Sequence, residues 1–227
     1  MRKLYFTLLF IASYSIGQAQ APWYSNISFG PGFGGVFTFA KPDAIKQKEG
    51  LKILLQPGFT VGATLSYRKL NTYYELGLDY VSEGYSYTYQ PLANSFESLS
   101  VKQYKSEIKY YSIQMPLSFT FPVHEGVYTT QLFGFSVTPK YLLKQIDFNE
   151  TEYKGGAKER DVIKSEAIYP PLNWGLNINY AVEIPILYDY SLRISPYILF
   201  SNFTSEIKDR QVLFPGFGIK NTFFIHH

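Results

Sequence analysis

Apolar and polar residues alternate with a period of two in eight separate stretches of the chain. The clearest stretch is 57–68, where large apolar side chains and small polar side chains take alternate positions. Because successive side chains of a β-strand point to opposite faces, this alternation predicts strands with one apolar and one polar face. The eight predicted strands lie near residues 23–39, 57–68, 74–83, 111–121, 127–143, 172–183, 190–201 and 212–225.

The connections between these strands alternate in length. Short turns are predicted at about 69–71, 122–126 and 186–189, and long polar loops at about 40–54, 88–106, 144–168 and 202–211. Eight strands joined in this order are typical of an outer-membrane barrel, with tight turns in the periplasm and loops outside. This arrangement places both termini on the periplasmic side.

The residue types on the polar face distinguish a membrane barrel from a soluble barrel such as a lipocalin. A face bathed in water would carry many Lys and Glu residues, whereas this face is mostly Gly, Ser, Thr, Asn and Gln, which suit a crowded lumen. The apolar face is large and aromatic, in a chain with 21 Tyr and 19 Phe. We therefore predict an all-β fold, an eight-stranded antiparallel up-and-down transmembrane β-barrel.

The first twenty residues have the pattern of a secretory signal. Arg2 and Lys3 precede an apolar stretch that ends at about Ile16, and Gly17-Gln18-Ala19 forms a small-x-small cleavage site. We expect residues 1–19 to be a cleaved signal peptide and 20–227 to be the barrel domain. Export of this kind predicts location in the cell outer membrane, with membrane lipid as the first partner.

Composition excludes several kinds of site. The chain has no Cys, which removes disulfides, thiol nucleophiles and Cys-ligated metals. The net charge is +3, and loss of Arg2 and Lys3 with the signal leaves 3 − 2 = +1. This charge gives no reason to expect binding to nucleic acid, and no motif indicates a cofactor.

Several charged residues fall on the polar face inside the strands. Arg68 and Glu75 flank the first short turn, and Glu183 and Arg193 flank the third, so each cation is predicted to lie directly across from an anion. We interpret these charges as a structural network that fills the lumen, with a proton or ion path as the alternative. The predicted network consists of Arg68, Glu75, Asp79, Lys140, Glu183, Arg193 and Lys220.

A tyrosine cluster is predicted where the third strand enters its loop. Tyr85, Tyr87 and Tyr89 alternate there, and Tyr104 lies in the same loop. Exposed tyrosines could bind a carbohydrate or a protein partner. The alternative is a rim of aromatic residues at the membrane boundary, which barrels commonly have.

Catalysis has little support in the sequence. The chain has three His residues, of which His124 falls in a short turn and His226 and His227 end the chain. Lipid hydrolysis in a barrel needs a Ser–His pair within hydrogen-bond reach. The sequence predicts no such pair, so we predict that the protein is not an enzyme. The terminal His pair is read as a disordered tail, with a metal site as the alternative.

Two segments resemble a known family. YELGLDYVSEGYSY carries Glu75, Tyr80 and Gly84 in an E-x-x-x-Y-x-x-x-G-like pattern, and YYSIQMPLSFTF is similar to the strand that follows it in the PorT-like outer-membrane β-barrel proteins of the Bacteroidetes. Gln114 stands where that family has an acidic residue, and FFIHH continues past the usual closing aromatic. The resemblance implies a membrane barrel without catalytic residues, and its founding member is tied to a protein secretion system.

These observations predict a non-enzymatic outer-membrane component that acts through its outer loops or within an envelope complex. The first alternative is an accessory part of a secretion system, with secretion-complex proteins as partners. The second is a small-solute or ion channel, and the third is a lipid-active enzyme. The sequence leaves the oligomeric state open.

Overall fold

The computed structural model describes residues 27–39, 50–91, 100–126, 128–165, 172–187, 189–204 and 211–226. The predicted signal peptide lies outside these residues. The described chain forms eleven β-strands: β1 (Ile27–Thr38), β2 (Leu51–Leu54), β3 (Gln56–Lys69), β4 (Thr72–Tyr89), β5 (Val101–Gln114), β6 (Leu117–Glu125), β7 (Thr130–Tyr153), β8 (Lys158–Ser165), β9 (Leu172–Leu187), β10 (Tyr190–Thr204) and β11 (Gln211–His226).

Antiparallel pairing closes these strands into an eight-stranded barrel. Each barrel strand pairs with the next along the chain, and β1 pairs with both β3 and β11, so that the first and last strands meet. β5 and β6 form one barrel strand, interrupted at Met115 and Pro116 because proline has no backbone N–H for the ladder. Closure leaves the barrel without exposed sheet edges. The predicted all-β up-and-down barrel is confirmed.

The exterior of the barrel is an apolar band. The outward side chains of Phe59, Leu78, Ile113 and Trp174 are between 39% and 58% exposed, although a water-soluble fold would bury them. Aromatic pairs lie towards both ends of the band, such as Phe59–Tyr80 near one end and Tyr74–Phe119 near the other. Aliphatic residues flanked by aromatic girdles are the pattern of a lipid-facing surface, so the barrel is transmembrane.

The first hairpin differs from the predicted one in its register. Lys69 pairs with Thr72, so the connection is a two-residue turn of Leu70 and Asn71 rather than a turn at 69–71. Leu70 adopts a positive φ of 55°. The register therefore moves by two residues, and Arg68 lies opposite Tyr73 instead of Glu75.

Two of the predicted long loops are in large part strands. Residues 144–153 and 158–165 form a hairpin, and β5 already begins at Val101. Three barrel strands, β4, β5 and β7, continue past the lipid-facing band and form an antiparallel sheet with β2 and β8, which we call the extension. Its strand order is β2, β4, β5, β7 and β8. We call the opposite end of the barrel, where β3 turns into β4, the turn end.

Among the described residues, no helix is long and apolar enough to cross a membrane.

Candidate functional site

Three carboxylates follow one another along the inward face of β4. Glu75, Asp79 and Glu83 are spaced four residues apart, which is about 13 Å per step in an extended strand. Alternation places all three on the lumen side. Each carboxylate forms an ion pair with a cation from a different strand, so the lumen holds three tiers of charge.

The lower tier lies nearest the turn end and is built around Arg193. Its guanidinium donates to Glu183, with Nη2–Oε2 and Nε–Oε2 distances of 2.7 and 2.9 Å, and its Nη1 donates to Glu75. The guanidinium also lies over the rings of Tyr73 and Phe224. The predicted register of Glu183 opposite Arg193 is the observed one.

The middle tier pairs Asp79 with Lys220. The Lys220 ammonium lies 2.7 Å from both oxygens of Asp79, and 3.5 Å from the hydroxyl of Thr64. A cavity of about 100 Å³ adjoins the lower and middle tiers and is lined by residues of both. This volume has room for several ordered water molecules.

The upper tier is an ion pair between Lys140 and Glu83 that is sealed from solvent. The Nζ–Oε1 distance is 2.7 Å, and both side chains are 0% exposed. Ser201 and Gln114 donate further hydrogen bonds to Glu83, at 3.0 and 3.1 Å. Gly175 makes room for this lysine, because a Cβ there would lie 2.8 Å from Lys140 Cε.

An apolar layer separates the middle tier from the upper tier. Val36, Val81 and Leu199 are buried together in the lumen, with Tyr197 packed against them. Val81 lies between Asp79 and Glu83 on β4, so this layer interrupts the polar path along the barrel axis. Within the described residues, the lumen is filled by its own side chains rather than open.

The structure places six residues of the predicted network in the lumen, whereas the Arg68 side chain lies partly exposed at the turn end. Arg68 pairs with Glu125 at 2.6 Å, where both side chains are substantially exposed, and not with Glu75. The cause is the two-residue turn described above. Lys140 pairs with Glu83 and Lys220 pairs with Asp79, so each of these lysines has a carboxylate other than those of the Arg193 cluster.

Glu83 is a lumen residue that the predicted network lacks. Glu83 lies four residues after Asp79 and eight after Glu75, so alternation alone places all three on the same face of β4. Gln114 also takes on a role here, because its amide donates to Glu83. An acidic side chain at position 114 would instead place two carboxylates side by side.

His226 is the last residue of β11 and does not belong to a disordered tail. Its ring nitrogens lie 2.7 Å from the hydroxyls of Ser28 and Ser191. Ser191 donates its one proton to Glu183, so His226 Nε2 must donate to Ser191 rather than accept from it. The pair is therefore not arranged to activate Ser191 as a nucleophile. The sequence could have predicted this inward position, because His226 lies six residues after the inward-facing Lys220 and alternation puts both on one face. His227 lies outside the described residues.

The predicted tyrosine cluster faces inward over the top of the lumen. Tyr85 is only 5% exposed, stacks with Tyr87 and packs at a tilt against Tyr110, while Tyr89 stacks with Tyr104. Because β4 keeps its alternation, these tyrosines share the face of Glu83 and do not form a rim towards lipid. The burial of Tyr85 removes it from the predicted exposed surface.

The part of the chain that the structure describes holds no group of His, Asp or Glu residues suited to a metal ion.

Comparisons with known proteins find likeness in structure only. No protein-family model matches the chain, and no curated protein matches it. The fold is similar to that of Neisserial surface protein A (13% identity, 85% of this chain and 95% of that chain, TM-score 0.41). It is also similar to Ail of Yersinia pestis (11%, 88% and 99%, TM-score 0.37) and to the outer membrane protease OmpT of Escherichia coli (8%, 89% and 95%, TM-score 0.40). The strand pairing, and not these likenesses, establishes the fold.

Proposed function

We propose that the protein is a non-enzymatic, PorT-like component of the outer membrane that acts through the extension and not through its lumen. The observation that carries this proposal is the sealed Glu83–Lys140 pair above an apolar layer. A barrel closed in this way offers solutes no route, so its surface beyond the membrane is what remains for function. The turn end, with both termini, then faces the periplasm.

The extension supports contact with partner proteins. β2 and β8 are its outer strands, and each pairs with one neighbour among the described residues. Strands with a free edge can add a strand from another protein. Envelope proteins, including those of a secretion complex as the PorT-like resemblance implies, are therefore the proposed partners.

Planar bilayers test the closed lumen. The full chain is inserted and current is recorded in salt solution, with a known porin as the positive control. We expect a flat trace, because the upper tier and the apolar layer block the axis. Steady conductance steps would overturn the proposal and favour the small-solute or ion channel.

Affinity capture from native membranes tests the role of the extension. The full chain is compared with a variant in which residues 149–161 are replaced by Asn-Gly, a sequence suited to a two-residue turn. We expect a defined set of envelope proteins that the full chain retains and the variant loses. Identical sets from both, or recovery of the barrel alone, would contradict the proposal.

A further inference from the structure

The outward face of the extension carries a group of cations that the lumen does not use. On β5, β7 and β8, alternation places these side chains on the same face as the lipid-facing residues below them. Lys109 and Lys164 lie on either side of Ile146 at one height, and Lys105 and Arg160 lie on either side of Glu150, four residues further from the band. We call this group the cationic patch: Lys105, Lys109, Lys144, Arg160 and Lys164.

The cationic patch begins where the apolar band ends. Lys144 follows Leu143, which is 45% exposed in the band. The Lys144 ammonium lies 4.5 Å from the ring of Tyr111, and Tyr111 is followed on the same face by Ile113. Aromatic rings mark the boundary between hydrocarbon and headgroups in membrane barrels. The patch therefore lies at the height of the lipid headgroups.

The patch keeps an excess of positive charge. Glu107 pairs with Lys109 at 2.9 Å, and Glu150 pairs with Arg160 at 2.7 Å. The five cations and these two carboxylates leave 5 − 2 = +3. Lys105, Lys144 and Lys164 have no carboxylate within salt-bridge distance among the described residues, so their charges are available to a ligand.

A groove lies beside these lysines on the same face. It has a volume of about 360 Å³, and its walls carry Lys105 together with the Lys109–Glu107 and Arg160–Glu150 ion pairs. Phe148 and Val162, which are 37% and 50% exposed, form an apolar floor. An apolar floor beside Lys105, with Lys144 and Lys164 on the same face, matches a ligand that carries phosphate groups on a larger, partly apolar headgroup.

We propose that the cationic patch binds the phosphate groups of an anionic lipid in the membrane leaflet next to the extension. The charge, the height of the patch and the apolar floor all agree with a lipid headgroup that enters from the side. Basic groups beside a membrane attract anionic lipids electrostatically. This inference rests on the proposed membrane location and adds a lipid class to it.

Native mass spectrometry of the full chain in detergent micelles tests the inference. The probes are diphosphoryl lipid A and a neutral lipid without phosphate, digalactosyl diacylglycerol. The test variant is K105Q/K144Q/K164Q, which removes the three lysines without a carboxylate partner, and the matched control is K52Q/K69Q/K154Q, which removes the same charge from exposed lysines elsewhere. We expect the test variant to retain lipid A about tenfold less than the wild type, because three headgroup contacts are lost. The control should retain it fully.

Two further measurements separate the outcomes. A heat-modifiable shift on gels, recorded for every variant in vesicles, shows whether the barrel has folded and inserted. A wild type that does not insert overturns the membrane proposal itself. A wild type that inserts but binds both lipids equally, or equal losses in both triple variants, overturns only the lipid site. Displacement of lipid A by millimolar inorganic phosphate would also contradict it, since a free anion would then suffice.

Discussion

At the scale of single residues, the lumen depends on buried ion pairs, and the loss of one partner strongly destabilises the fold. Glu83 and Lys140 are fully buried, and hydrogen bonds from Ser201 and Gln114 complete the site. A buried pair contributes little net stability, but removal of one partner leaves an uncompensated charge in a medium of low dielectric. The pair therefore specifies how the strands are arranged more than it adds to stability.

Lys140→Met tests this arrangement. We expect the free energy of unfolding to fall by about 3 kcal/mol or more, because Glu83 is left buried without its cation. The double variant Lys140→Met with Glu83→Leu should recover much of the loss. Urea unfolding in vesicles, followed by tryptophan fluorescence, measures both.

Lys154→Met is the control, since Lys154 is exposed beyond the end of β7. A single variant as stable as this control, or a double variant less stable than Lys140→Met, would contradict the role given to the pair.

The sequence predicts which lumen residues point inward but not which of them meet. Alternation alone places Asp79, Lys140 and Lys220 on the polar face. Their partners lie across the lumen, as Asp79 and Lys220 do over 141 positions of sequence. Such pairs depend on how the closed barrel brings distant strands together. The register of a single hairpin cannot predict them, because it relates only two neighbouring strands.

At the scale of elements, the first hairpin shows why one prediction failed. Two registers that differ by two residues keep the same faces of both strands together, so both fit the alternation, but they change which residues oppose each other. The sequence does not indicate the two-residue turn, because its first residue, Leu70, has a positive φ that Gly or Asn usually adopts. The error in the partner of Arg68 follows from that single residue.

Leu70→Asn should stabilise the barrel. Leu70 is 87% exposed, so the substitution loses little packing, and asparagine tolerates the left-handed conformation better than leucine. We expect a gain of about 1 kcal/mol in the free energy of unfolding. Urea unfolding of the two proteins measures it, and no gain or a loss would contradict the two-residue turn.

The β7–β8 hairpin should loosen in acid. Hydrogen bonds from Arg160 and Lys158 lower the pKa of Glu150 below its ordinary value. A lowered pKa in the folded state means that this carboxylate stabilises the hairpin above its unfolded pKa, and the contribution is lost as the pH falls through the folded value. NMR shifts of β8 amides should move towards random-coil values as the pH falls below about 4.5, the ordinary pKa of a glutamate.

Glu150→Gln should remove most of this pH dependence and show the loosened hairpin already at neutral pH. Asp161→Asn is the matched control, because it removes a carboxylate from the other face of β8. An unchanged pH profile in Glu150→Gln, or the same change in the control, would show that Glu150 does not hold the hairpin.

The hairpin also shows a limit of the sequence pattern. Residues 144–168 carry many charges and few apolar residues, and were therefore predicted as a loop. Ladder pairing there continues from the barrel strand β7, and both faces of the hairpin carry charged side chains, such as Glu150 and Arg160 on one face and Glu159 and Asp161 on the other. A strand with charges on both faces lacks the apolar and polar alternation that predicts the barrel strands.

At the scale of the whole molecule, one assignment underlies the account: which side of each strand faces lipid. Apolar side chains occur on both sides of the barrel wall. Leu65, Leu78 and Ile178 point outward, and Val36 and Leu199 point inward within the apolar layer. The outward and inward residues are of the same apolar types, so only contact with lipid distinguishes one set from the other.

Photolabelling of the wild-type chain in vesicles tests this assignment most directly. A lipid with a diazirine in its acyl chain reacts with the side chains that it touches, and mass spectrometry locates each label. We predict labels at alternate residues, including Leu65, Leu78 and Ile178, and none at Val36 or Leu199. Labels on Val36 and Leu199, or labels without a period of two along β3 and β4, would contradict the transmembrane barrel with a closed lumen.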